Sequence, residues 1–207
     1  MTMPLLSPRA AGVSRLVRHP AAAAVAALTV VAVLALSGCA SGPPSPPLPT
    51  VAQVDVPGYL GTWYQVALVP NRFQAQCVGD TEARYSLKGG QNSGQPTEQP
   101  STLVVENRCR IASGAVDVAT GVAEVVPGSG NAKLRVSFFR PFYGDYWVLA
   151  QGAGQRWTLV GEPSRQYGWV LSRTPQLPEA ELALALDRAV ALGYQRSAFV
   201  ASPQSAR

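Results

Sequence analysis

The chain has a single histidine among its 207 residues, His19, and none follows it. The body of the chain therefore carries no Ser-His-Asp triad, no histidine-containing zinc site and no imidazole general base. Charge is also sparse, with 14% of residues ionisable as Asp, Glu, Lys or Arg. The basic excess of 17 over 12 is concentrated at one end. Arg9, Arg15 and Arg18 all precede residue 39, and without them 14 basic residues face 12 acidic ones, a net +2. The overall positive charge is thus largely a property of the N-terminus. It gives no clustered basic face of the kind nucleic acid requires, and no nucleic-acid partner is expected.

The N-terminus itself is patterned. Its three arginines are followed by a charge-free apolar run, Ala21 to Leu36, and then by Leu36-Ser37-Gly38-Cys39. A basic region, an apolar region and small residues leading to a cleavage point form a secretory signal. The Leu-x-Gly-Cys ending resembles a bacterial lipobox, which implies a signal peptide over 1–38 and acylation of Cys39. An uncleaved membrane anchor is the alternative, for which the run is slightly short. Residues 39–54 then read as a lipidated cysteine and an extended tether, with Pro43, Pro44, Pro46, Pro47 and Pro49 favouring a hydrated polyproline conformation. With Cys39 acylated, two cysteines remain in an oxidising compartment, Cys77 and Cys109. They read as a disulfide closing a loop of about 33 residues, for roughly 3–4 kcal/mol of chain entropy. The alternative, a reactive thiol, would lack a histidine partner.

The next stretch is punctuated at strand intervals. Thr81 to Lys88 alternates, with Thr81, Ala83, Tyr85 and Leu87 opposed to Glu82, Arg84, Ser86 and Lys88. Leu134, Val136 and Phe138 are likewise opposed to Lys133, Arg135 and Ser137. Thr62–Val69, Leu103–Cys109, Ala115–Val126, Tyr146–Ala150, Trp157–Gly161 and Tyr167–Arg173 complete a set of eight. A Gly/Gln/Pro-rich loop runs from Gly89 to Pro100. Eight short strands joined by short turns predict an all-β, up-and-down antiparallel meander that can close into a barrel and leave no edge. One helix, 178–193, stands apart. It opens on Pro178, ends at Gly193 and aligns Leu182, Leu186 and Val190, which predicts packing on the outside of the barrel. Tyr194 to Val200 is a candidate edge strand.

Gly61-Thr62-Trp63-Tyr64 on the first strand has a counterpart at the end of the last, in Trp169-Val170-Leu171-Ser172-Arg173-Thr174-Pro175. Together with Val54-Asp55, the run Ala132 to Phe139 and the run Tyr143 to Ala150, these blocks resemble the lipocalins over nearly all of the chain after residue 50. The resemblance implies an eight-stranded barrel over 55–202 that encloses a small apolar ligand. One motif departs from the family. The Thr-Asp-Tyr that follows the sixth strand in many members would fall at Gln151-Gly152-Ala153, which has neither Asp nor Tyr. Gly144-Asp145-Tyr146 looks similar but lies at the start of that strand.

In such a barrel Trp63 plugs one end, Gly61 permits close approach, and Arg173 lies over the indole. Alternation places Tyr85, Asn107, Phe138 and Trp169 inward as candidate ligand-binding residues. Trp147 joins them at a position that lines the pocket in the family. Arg72, Arg140 and Lys88 are candidates for a rim that meets a carboxylate or phosphate head group. The resemblance implies fatty acids or lysophospholipids as ligands and no catalysis, with neither metal nor cofactor. Ala40 after the lipidated cysteine, in place of aspartate, favours the outer membrane, and a homodimer is the protein assembly considered. The rivals are a lipocalin-fold enzyme, for which Asp80 and Glu124 are the nominable acids, and a structural lipoprotein with a filled barrel. Metabolic labelling with palmitate should mark the chain and fail to mark a Cys39→Ala variant.

Overall fold

The computed structural model describes residues 46–88 and 102–205. The signal, Cys39, most of the tether and the loop 89–100 lie outside the described residues. Eight antiparallel strands follow one another: β1 (Gly61–Leu68), β2 (Cys77–Leu87), β3 (Thr102–Ile111), β4 (Val116–Val125), β5 (Lys133–Phe139), β6 (Phe142–Gln151), β7 (Trp157–Gly161) and β8 (Gly168–Ser172). Each pairs with the next, and β1 closes the circle by pairing with both β8 and β2. The expected up-and-down barrel is therefore the observed one. Closure also explains why short strands suffice, since every barrel strand pairs on both sides over at least part of its length.

The barrel has two unlike ends. At the closed end a one-turn helix, α1 (Val56–Tyr59), leads into β1; Asp55 caps it by accepting from the Gly58 amide at 3.1 Å. At the other end lie the β1–β2, β3–β4, β5–β6 and β7–β8 connections. The wall is uneven there. β3 and β4 pair along their whole length, whereas β4 meets β5 only from Val122 to Val125. Val116 to Thr120 are consequently flanked by β3 alone and are all exposed.

Outside the barrel, α2 (Glu179–Ala191) packs on β6, β7 and β8. Its contact face differs from the expected one. Ala185 and Ala189 are fully buried, with Leu182 and Leu186 beside them, while Val190 is exposed. Two alanines let the helix backbone approach the sheet closely, so the buried stripe centres on small residues rather than on the largest ones. Glu179 and Glu181 in its first turn suit the positive end of the helix dipole. Of the segment 194–200, only Val200 joins a strand, β9 (Val200–Ala201), which pairs with Ala67 and Leu68 of β1.

The expected tether over 39–54 is shorter than predicted. Leu48 is buried against the layer between helix and barrel. The Val51 amide donates to the Val148 carbonyl at 3.0 Å and the Val54 amide to the Gly130 carbonyl at 2.8 Å. Leu48, Val51 and Val54 recur every three residues, the repeat that lines up one face of an extended polyproline-type segment. Proline content conceals this pattern.

Cys77 and Cys109 form the expected disulfide, with 5.6 Å between their Cα atoms, and tie the start of β2 to β3. The ladder between these strands is irregular here, shifting between Cys77 and Gly79 and again before Glu82. A Cys77→Ala/Cys109→Ala protein should lose about 3 kcal/mol in denaturant unfolding, and the oxidised protein should show no free thiol at either position.

Candidate functional site

The closed end is built around one cation. Gly61 adopts φ +88°, which a residue with a Cβ rarely does, and this turns the chain from α1 into β1. The turn aims the carbonyls of Gly58, Leu60 and Thr62 at Arg173. Its Nη1 donates to Leu60 at 3.0 Å and to Thr62 at 2.9 Å, and its Nη2 donates to Gly58. The guanidinium carbon lies 3.7 Å from the centroid of the Trp63 ring. Trp63 is wholly buried, and its indole Nε1 donates to the Tyr59 carbonyl at 2.8 Å. Gly61, Trp63 and Arg173 thus form the floor, and none stands where a ligand entering from the open end would first meet it.

Above the floor stand three tyrosines. The Tyr85 hydroxyl donates to that of Tyr146 at 2.9 Å, and the Tyr59 and Tyr146 hydroxyls share a hydrogen bond at 2.8 Å. Burial pushes the Tyr59 phenol up to about 12. Burial, reinforced by the neighbouring tyrosines, also holds Tyr85 and Tyr146 well above the usual phenol range. The deep interior is therefore polar at one point but neutral at any physiological pH.

The inward positions higher up are small or apolar. Register places Asn107 between Ala83 of β2 and Ala119 of β4, and Val105 between Tyr85 and Gly121. The Phe138 ring lies over Gly121, where an added Cβ would come within 2.8 Å of it. Val136 faces Gly144, at which an added Cβ would meet no atom within 4 Å. Trp169 closes the far side. Its Nε1 donates to Gln74 Oε1 at 2.9 Å, and its ring stacks at 6.2 Å on Tyr167. Gln74 in turn donates to Gln65 at 2.9 Å, and Gln65 to Ser202 at 3.0 Å, so a chain of amides supports the indole from the β1–β2 loop to the C-terminal tail.

Of the five residues expected to line a pocket, Tyr85, Asn107, Phe138 and Trp169 face the interior. Tyr85 sits low, bonded into the tyrosine cluster, and Phe138 sits high and partly exposed. Trp147 does not face inward. Leu134 pairs with Tyr146 on the inner face, so Trp147 and Leu149 turn outward against the layer beneath α2, where the Lys133 ammonium lies 3.9 Å from the Trp147 ring. The inward aromatic of β6 is Tyr146. Sequence reasoning also missed Tyr59, Gln65, Gln74 and the opening at Gly144. The run Tyr146 to Ala150 is apolar throughout because both of its faces are covered, and a strand covered on both faces carries no alternation to set its phase.

The rim candidates separate as well. Arg72 and Arg140 lie in open-end connections, but Lys88 follows the last residue of β2 and belongs to the closed end. The nominated acids are engaged at the surface. Asp80 accepts from Arg110 at 2.7 Å and from the Ser205 amide at 2.6 Å, and these bonds, the backbone one foremost, hold its carboxyl down at about 2. Glu124 accepts from Tyr143 at 2.8 Å and faces Arg140 at 3.7 Å.

An eight-stranded barrel with a Trp–Arg floor, an external helix and an open mouth matches the lipocalin pattern on which the sequence resemblance rests. A model of the lipocalin-like domain matches residues 54–204. The chain belongs to the lipocalin family. Temperature-induced lipocalin-1 of Arabidopsis thaliana is 33% identical over 165 residues, covering 76% of this chain and 83% of that one. Outer membrane lipoprotein Blc of Escherichia coli K12 is 35% identical over 152 residues, covering 72% and 79%. Insecticyanin from the tobacco hornworm superposes with a TM-score of 0.59 at 19% identity, covering 77% of this chain and 86% of that one, a likeness of fold.

Two outcomes follow from this lipocalin floor. Trp63→Ala should cost about 3–5 kcal/mol of stability while the protein that remains folded still binds ligand; normal melting with lost binding would reverse the structural assignment. The phenols give a pH dependence. Unfolded tyrosine ionises near 10 whereas the buried phenols resist, so their contribution is fully present below pH 10 and is lost as pH rises toward 12. Spectrophotometric titration should leave Tyr59, Tyr85 and Tyr146 un-ionised until the barrel unfolds.

Proposed function

We propose that this lipocalin holds one chain-like apolar ligand, a fatty acid or lysophospholipid, inside the barrel, and stores or moves it at the cell envelope. The observation that carries this reading is the interior itself. Inward positions shrink to Ala83, Ala119, Gly121 and Gly144 among Val136, Phe138, Trp169 and the Asn107 amide; the Phe138 ring covers Gly121, and at Gly144 an added Cβ would meet no atom within 4 Å. Concave, mostly apolar sites with few polar groups suit a ligand that is largely hydrocarbon. The neutral phenols below favour an uncharged end there, which leaves a charged head group at the mouth, near Arg72 and Arg140.

Binding without catalysis is part of the same proposal. It is supported by the absence of histidine after His19, by the disulfide at the two remaining cysteines, and by the surface engagement of Asp80 and Glu124. The envelope setting draws on the lipobox-like sequence ending at Cys39 and on the relatives named outer membrane lipoprotein. Acylation would supply about 0.8 kcal/mol per buried CH₂, and more than one chain makes anchoring stable.

Titration with a series of fatty acids and lysophospholipids should quench tryptophan emission saturably, and Trp169→Phe should remove most of the response. Gly144→Phe should place a ring in the open space, leave the melting temperature unchanged and weaken binding at least about tenfold, the effect of some 1.4 kcal/mol. A wild-type protein with no saturable response to any of these lipids has a filled barrel, and the binding proposal fails.

A further inference from the structure

Large apolar side chains are exposed mainly at the open end. Phe139 is 82% exposed, Phe142 75% and Phe73 62%, with Val116 and Val118 on the free upper edge of β4 also exposed. Isolated exposed apolar residues need no explanation, but a group confined to one end marks an interaction surface. These side chains do not form one flat patch. Phe73 projects from the β1–β2 loop and Phe139 and Phe142 from the β5–β6 tip, and strand order puts these connections on opposite sides of the mouth.

The charges beside them are informative. Arg72 stacks on Phe73, its guanidinium carbon 5.0 Å from the ring centroid, and Arg140 is flanked in sequence by Pro141 and the two exposed phenylalanines. Glu124 lies 3.7 Å from Arg140, an exposed pair worth little in water and open to exchange for a lipid phosphate, and other acids of this end have partners of their own. Asp117 accepts from Gln76 at 2.9 Å, Asp80 is bound to Arg110, and Glu162 accepts from Ser164 and from the Gln166 amide at 2.7 Å. Aromatics separated around a rim, each with an arginine at hand, suit a fluid interface that each can enter independently; a rigid protein face would require them to be contiguous.

We propose that the open end of the barrel docks on an anionic lipid bilayer, with Phe73, Phe139 and Phe142 entering the interface and Arg72 and Arg140 meeting lipid phosphates. Aromatic and basic side chains together are what such an interface selects. The mouth then faces the membrane, and the opening beside the upper half of β4 lies at the lipid surface. Docking goes beyond the proposed ligand binding and does not require it, so either can fail alone.

The test places one tryptophan reporter at Phe142 (Phe142→Trp) and another on the exposed face of α2 (Leu184→Trp) in the full chain. Both positions are exposed, so both proteins should melt as the wild type does. Each is reconstituted in vesicles of phosphatidylethanolamine and phosphatidylglycerol containing brominated lipid, and wild-type emission is subtracted. The Phe142→Trp reporter should be quenched several-fold more strongly than the Leu184→Trp reporter. Adding Phe73→Ser and Phe139→Ser should abolish that difference, and Arg72→Gln with Arg140→Gln should reduce it. Equal quenching of the two reporters, which tethering without docking would give, overturns the proposal. So does a concentration-dependent shift of the Phe142→Trp emission without vesicles, which would assign this end to a second copy of the chain.

Discussion

Three backbone carbonyls converge on one guanidinium, and the barrel depends on it. A helix turn, a left-handed glycine and the first residues of β1 point the carbonyls of Gly58, Leu60 and Thr62 at Arg173. Gly58 and Leu60 precede the sheet and Thr62 pairs with β2 but not yet with β8, so these carbonyls take their partner from Arg173 instead of a neighbouring strand. A planar guanidinium holds all three with donors in fixed directions and still lies flat on an indole; an ammonium has three donors but neither the plane nor the fork. The same guanidinium rests on the Trp63 ring, so the residue after β8 holds both the backbone and the largest side chain of β1. Closure of the sheet and closure of the floor are therefore one event.

Above the floor, size does what charge does below. The tyrosine hydroxyls satisfy one another, so aromatic bulk fills the narrow end without leaving an orphaned polar group. Higher on β4 and β6 inward residues shrink to alanine and glycine, and at Gly144 an added Cβ would meet no atom within 4 Å. A filled base and an open upper half thus follow from the same strands, because inward positions on one strand change from large to small along its length. β6 shows it best, running Val148, Tyr146, Gly144 from base to mouth.

What was legible in the sequence follows from which faces touch water. β2 and β5 alternate because their outer faces carry polar residues, with Arg84, Ser86 and Arg135 in water, and both were placed in phase: Tyr85 and Phe138 point inward. β6 lies beneath α2 and is apolar on both sides, and there the phase was misplaced by one residue, so Trp147 was read for Tyr146. The Trp63–Arg173 pair was legible because it is fixed by residue type at the two ends of the chain. The amide chain from Trp169 through Gln74 and Gln65 to Ser202 was not, since glutamine in a loop has no periodicity and its partners lie far apart in sequence. Leu48 was concealed by its prolines.

The two ends divide the labour, and the division is physical. Stability resides where the cation, the indole and the phenols are buried. Exposure increases toward the mouth, where β4 parts from β5 and large apolar side chains stand in water. A barrel closed at both ends would be more stable and could admit nothing. One fully exposed in its upper half would be an aggregation hazard, which the arginines and the short tip between β5 and β6 limit. The unpaired upper edge of β4 thus leaves the opening through which the proposed apolar ligand would pass. The cost of that opening is borne at the far end, by the carbonyls that Arg173 gathers.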